Sequence, residues 1–146
     1  MHSSPMRRIG ILLLAVGMAG CATCTLIGCN NRLYFTIGEE DLLPGTAYEA
    51  RVCFDSACAE GTLLARDDGF FGVAGPMTLI SEDDAIEYQL GEGDFGGRHR
   101  ITFSLRDPSG RELASMDDGA VELTRYEPNG GWPCGPTCWS GDFALP

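Results

Sequence analysis

The stretch Arg98-His99-Arg100-Ile101-Thr102-Phe103-Ser104-Leu105-Arg106-Asp107-Pro108-Ser109-Gly110 decides the fold class. Ile101, Phe103 and Leu105 alternate with Arg100, Thr102, Ser104 and Arg106. A period of two places the apolar set on one face of an extended strand, whereas a helix would need it every three or four residues. Asp107-Pro108-Ser109-Gly110 follows, with aspartate, proline and glycine where a type I turn favours them. The segment predicts a strand entering a hairpin whose second arm runs to Met116.

The same period recurs on both sides. Leu33, Phe35 and Ile37 share one parity, as do Tyr48, Ala50, Val52 and Phe54. Ile86, Tyr88 and Leu90 follow, then Val121 and Leu123, and finally Trp139, Phe143 and Leu145. Polar residues fill the intervening positions, which is the pattern of antiparallel strands with one buried and one wet face. Asp67-Asp68-Gly69 and Asp117-Asp118-Gly119 read as hairpin-like turns, and Gly96-Gly97 and Asn129-Gly130-Gly131 punctuate the rest. No stretch carries a convincing amphipathic helix. The expected fold is all-β: an antiparallel β-sandwich of roughly seven to nine short strands, one domain over residues 31–146.

The Ile101–Met116 hairpin resembles those of immunoglobulin-like and transthyretin-like sandwiches. The resemblance covers architecture, and a fold alone implies no function. The immunoglobulin hallmark of two distant cysteines flanking a buried tryptophan is not reproduced, because Trp132 and Trp139 both lie late, around Cys134 and Cys138.

The first residues follow a different logic. Residues 1–8 are polar and basic, ending in Arg7-Arg8, and Ile9 to Ala19 is an uncharged apolar run ending in small residues. That order is the one found in a secretory signal peptide. Met18-Ala19-Gly20-Cys21 resembles a bacterial lipobox, in which small residues precede a cysteine that receives diacylglycerol. Leu26-Ile27-Gly28-Cys29 resembles one too. Cleavage before Cys21 leaves an apolar region of ordinary length, and cleavage before Cys29 stretches it by eight residues. Length favours Cys21 as the lipidated residue, with Cys29 as the alternative. Residues 1–20 are then the signal peptide and 21–30 the anchor cysteine with a short linker. The resemblance implies a membrane partner reached through lipid and a place in the cell envelope, outside the cytoplasm. An uncleaved anchor over Ile9–Cys29 is long enough to span a bilayer, but its glycines, threonines and cysteines make it a poor one.

Seven cysteines occupy positions 21, 24, 29, 53, 58, 134 and 138. An exported chain meets an oxidising compartment, where disulfides are the default. With Cys21 taken by lipid, the remaining C-x4-C and C-x3-C spacings depart from the Cys-x-x-Cys pairs usual for zinc, so no metal is expected. Phe54-Asp55-Ser56-Ala57 can form a tight turn that sets Cys53 directly opposite Cys58, with Cα atoms about 4.5 Å apart and within disulfide reach. Cys134 and Cys138 flank Gly135-Pro136-Thr137 and are expected to close another short loop, although four cysteines allow three connectivities and six allow fifteen, with cross-pairing such as Cys53–Cys134 the alternative. Cys24 and Cys29 are further disulfide candidates when Cys21 is lipidated.

Charge narrows the partners. Beyond residue 30 there are eight arginines and no lysine against 21 acidic residues, a net −13. Such a surface repels phosphate backbones, so nucleic acid is excluded as a partner. With His2 in the leader, His99 is the remaining histidine. It can serve as a general base, although a rim position beside an apolar face accounts for it more simply. Acidic runs such as Glu39-Glu40-Asp41 and Glu82-Asp83-Asp84 supply oxygens of the kind calcium takes. They equally suit solvated turns, and no EF-hand-like loop occurs. There is no Gly-x-Ser-x-Gly elbow and no cofactor motif. In the Gly/Pro-rich segment 128–139, Trp132 and Trp139 form either a hydrophobic lid over one end of the sandwich or a rigid aromatic recognition surface. The functional expectation is a non-enzymatic, membrane-tethered interaction or structural module whose partner is an envelope protein or glycan. The alternatives are a small envelope hydrolase and a calcium-dependent adhesive module.

Overall fold

A computed structural model describes residues 28–38, 42–65, 72–80, 85–131 and 135–146. Alternation yields strands wherever it occurs: β1 (Arg32–Thr36), β2 (Ala47–Phe54), β3 (Ala57–Leu64), β4 (Gly72–Ala74) and β5 (Met77–Ile80), then β6 (Ala85–Gln89), β7 (Arg98–Arg106), β8 (Glu112–Glu122), β9 (Thr124–Tyr126) and β10 (Cys138–Ala144). No helix occurs among the described residues. Two five-stranded sheets stack into a β-sandwich, one ordered β5-β6-β1-β10-β9 and the other β4-β3-β2-β7-β8. Setting aside the three-residue β4 and β9 leaves eight strands, within the expected number. β1 and β2 lie in opposite sheets, unlike the first two strands of a constant-type immunoglobulin domain, which share one.

The predicted apolar faces meet in the core. Leu33, Phe35, Val52, Ile86, Ile101 and Leu105 are fully buried. Phe35 of one sheet stacks on Phe103 of the other, ring centroids 4.3 Å apart, and on Phe143 of its own sheet at 5.3 Å. Gly141 sits inward on β10, where a Cβ would come within 2.9 Å of both Leu123 and Phe143. Only glycine lets those side chains close over the strand.

Three expectations need correction. First, the sandwich is not wholly antiparallel, because β1 runs parallel to β10, with Arg32 opposite Ser140 and Thr36 opposite Ala144. Second, Asp117-Asp118-Gly119 is not a turn. It lies within β8, where Asp118 faces Ile101 but Val121 faces His99. Gly119 and Ala120 together thus oppose Arg100 in a β-bulge, with the Ala120 N–H donating to Asp118 Oδ1 at 3.0 Å. The glycine serves the bulge and the strand continues. Third, Cys138 pairs with Cys29 across 109 residues, not with Cys134. The parallel register of β1 and β10 sets the start of β10 beside the residues just before β1, so the partner comes from the start of the domain. Cys21, Cys24, Trp132 and Cys134, and the Asp67-Asp68-Gly69 turn, lie outside the described residues.

The turn predictions at 54–57 and 107–110 hold. Cys53 and Cys58 are register partners with Cα atoms 4.0 Å apart, joined by a disulfide, and Asp55 takes the left-handed φ of +53° that the turn requires. The Gly110 N–H donates to the Asp107 carbonyl at 2.9 Å, and Asp107 Oδ1 accepts the Ser109 and Arg111 N–H groups. Closing so short a loop removes little chain entropy. Replacing both Cys53 and Cys58 with alanine is expected to cost about 2 kcal/mol and leave the fold intact, which a urea titration of the double variant measures.

Glu87 also departs from simple alternation. It points to the outer face, as its parity predicts, yet is 9 % exposed. Arg32 on the neighbouring strand approaches its carboxylate at 3.6 Å and lies over the Tyr34 ring at 4.9 Å. Burial, then the Glu87 charge, pushes the Tyr34 phenol up to about 12. A carboxylate paired in this way can tolerate a nearly dry position.

Candidate functional site

The end of the sandwich where β1 and β10 begin and β6 finishes gathers most of the distinctive residues. Asn31 immediately precedes β1 and is buried. Its side-chain oxygen accepts the Trp139 N–H at 2.9 Å and its amide donates to the Gly91 carbonyl at 2.8 Å, while its own carbonyl accepts the Leu90 N–H at 2.8 Å. One residue thereby fixes β10, β1 and the loop after β6 against one another. The Cys29–Cys138 disulfide lies beside it, with Cys138 fully buried. The Cys29 sulfur, the alternative lipidation position in the sequence, is engaged in this bond.

Trp139 is the predicted surface residue that the structure describes. It is half-buried, packs one side against the core cluster, and pairs across strands with Arg125. It also lines an open cavity of about 530 Å³ with Gly93, Asp94, Gly96, Arg125 and Thr137. The same side chain thus packs on the core and lines an open cavity. A second cavity of about 440 Å³ shares Gly93 as a wall and is lined by Cys29, Asn31, Glu92 and Pro136 as well. Arg125 is held by Glu127 at 2.6 Å, and the Asp94 carboxylate accepts the Gly96 N–H at 3.0 Å.

His99 stands at the start of β7 with its side chain 13 % exposed. Nδ1 lies 2.8 Å from Asp55 Oδ2, and Nε2 lies 3.0 and 3.2 Å from the carbonyls of Phe95 and Gly96. Every one of those partners is an acceptor, so both ring nitrogens must carry protons and the imidazolium is the form that fits. The ring packs against Phe54 at 4.4 Å, and Asp55 is tied to Arg100 through both its N–H and its Oδ1. Burial is the largest influence on His99 and acts to lower its pKa. The Asp55 hydrogen bond, the two carbonyls and the Asp55 charge outweigh it, and the net shift is upward from 6.5. The same hydrogen bond, with the Arg100 N–H, lowers Asp55.

His99 therefore clamps the 90–97 loop, one wall of the large cavity, to the β2–β3 turn. A general base needs an accessible nitrogen lone pair, and in this geometry both nitrogens are engaged. A folded-state pKa above the unfolded one gives stability that is complete below about pH 6.5 and lost as pH rises through the folded-state value. Nuclear magnetic resonance titration is expected to place the His99 midpoint above 6.5. Amide exchange at Phe95–Gly97 should accelerate through that transition beyond the general rise with pH, and His99→Phe should abolish the step.

Among the described residues, no three histidine, cysteine or acidic side chains converge on a metal-holding arrangement, and no helix is long and apolar enough to cross a membrane. The runs at 39–41 and 82–84 lie outside them. Sequence reasoning missed Asn31, whose role depends on three segments distant in the chain. It also missed the Asp55–His99 pair, whose members stand 44 residues apart. No protein-family model matches the chain, and no curated protein or solved structure matches it either.

Proposed function

We propose that the protein is an exported lipoprotein of the cell envelope, tethered through Cys21, whose β-sandwich is a non-enzymatic interaction module. The observation that carries this reading is the Cys29–Cys138 disulfide. A disulfide of this kind belongs to an oxidising, non-cytoplasmic compartment. It also supports Cys21 over Cys29 as the lipidated residue, because a sulfur in a disulfide cannot hold a thioether-linked lipid. Cys21, preceded by Met18-Ala19-Gly20, is the acceptor this reading favours. The interaction reading is supported by the open cavity over Trp139, whose walls are fixed by Asn31 and His99.

The residues between Cys21 and Cys29 span at most about 25–30 Å when extended, so the anchor would hold the Trp139 end of the domain close to the bilayer. Cys21→Ser is expected to move the protein from the membrane fraction to the soluble fraction of intact, fractionated cells. Cys29→Ser should leave it membrane-bound. The reverse pattern would overturn the assignment.

A further inference from the structure

We infer that the groove over Trp139 binds an uncharged saccharide, an assignment that rests on the interaction reading and names its ligand class. A sugar ring presents an apolar C–H face together with hydroxyls that both donate and accept. The groove offers the matching set: an indole, a guanidinium on Arg125, a carboxylate on Asp94 and a hydroxyl on Thr137. Arg125 has five N–H donors and a carboxylate about four acceptor sites, more than their internal contacts with Glu127, Thr137 and Gly96 engage.

The walls that would otherwise shield the ring are glycines. A Cβ at Gly96 would come within 3.2 Å of Trp139 Cη2, so even alanine there crowds the indole. The cavity falls in the ordinary size range for ligand sites, about 300–1,000 Å³, and Gly93 also walls the neighbouring cavity. That shared wall suits a chain of several rings better than a single one. Charge disfavours anionic ligands, since Asp94 and Glu92 flank the two cavities and the part beyond residue 30 carries −13. A wholly apolar ligand would strand the Asp94 and Arg125 charges against it.

The test uses the exported, disulfide-bonded chain carrying Cys21→Ser, so its outcome is independent of lipidation. Four probes are titrated and followed by nuclear magnetic resonance: the tetrasaccharide of N-acetylglucosamine, cellotetraose, tetragalacturonate and tetralysine. At least one neutral tetrasaccharide is expected to shift the Trp139 indole N–H together with Gly96 and Arg125, with Kd on the order of 1 mM or tighter. Trp139→Ala should weaken binding tenfold or more. Because Trp139 also packs on the core, Gly96→Ala and Arg125→Gln serve as milder variants, and each should weaken binding several-fold with the fold retained. The inference is overturned if neither neutral sugar shifts these signals, if tetragalacturonate binds as well as they do, or if tetralysine alone binds. The last outcome would keep the groove as an interaction site for a different partner class.

Discussion

Replacing Cys29 and Cys138 together by alanine is expected to lower folding stability by about 4–5 kcal/mol, the largest effect of any single cross-link in the described structure. The bond closes a segment of 109 residues, and the denatured-state entropy removed by a cross-link grows with the logarithm of loop length. On the same scale the Cys53–Cys58 bond, five residues apart, gives about 2 kcal/mol. Domains are stable by only about 5–15 kcal/mol in total, so the double variant should be marginal at physiological temperature and the Cys53/Cys58 variant should not. Denaturant titration of both variants beside the parent, under non-reducing conditions, measures the contrast. Equal losses would show that loop length is not what governs stability here.

Phe35→Ala is expected to cost about 3–5 kcal/mol, the usual range for deleting a fully buried aromatic ring. Phe35 is 0 % exposed and stacks between Phe103 and Phe143. Removing it opens a cavity between the sheets and leaves two rings without their partner. Phe54→Ala, at the half-buried margin of the same core, should cost less. Thermal unfolding of the two variants ranks them, and a smaller loss for Phe35 would contradict its central place.

Much of the fold was legible because burial on one face of a strand writes itself into adjacent residues. Ile101, Phe103 and Leu105 needed no tertiary information to be placed inward, and the Cys53–Cys58 pairing followed from hairpin geometry alone. The parallel pairing of β1 with β10 was not legible, since parallel neighbours share no turn that a local pattern could reveal. The Cys138 partner was misassigned for the same reason, because Cys134 is near in sequence while Cys29 is near in space. Asp117-Asp118-Gly119 shows a third limit: the residues that make a hairpin turn also make a bulge, and strand pairing decides between them. At the candidate site, Trp139 stood out by composition. Asn31, Asp55 and His99 act through distant partners, and no local spacing marks them.

Lipidation at Cys21 and the long-range disulfide are both read from the mass of the mature protein extracted from membranes, with non-reducing peptide mapping of the same sample. An acylated N-terminal residue at Cys21 and a disulfide-linked peptide joining the segments around Cys29 and Cys138 are expected. A mature chain that begins with an acylated Cys29, or one that retains residues 1–20 without lipid, would contradict the Cys21 assignment.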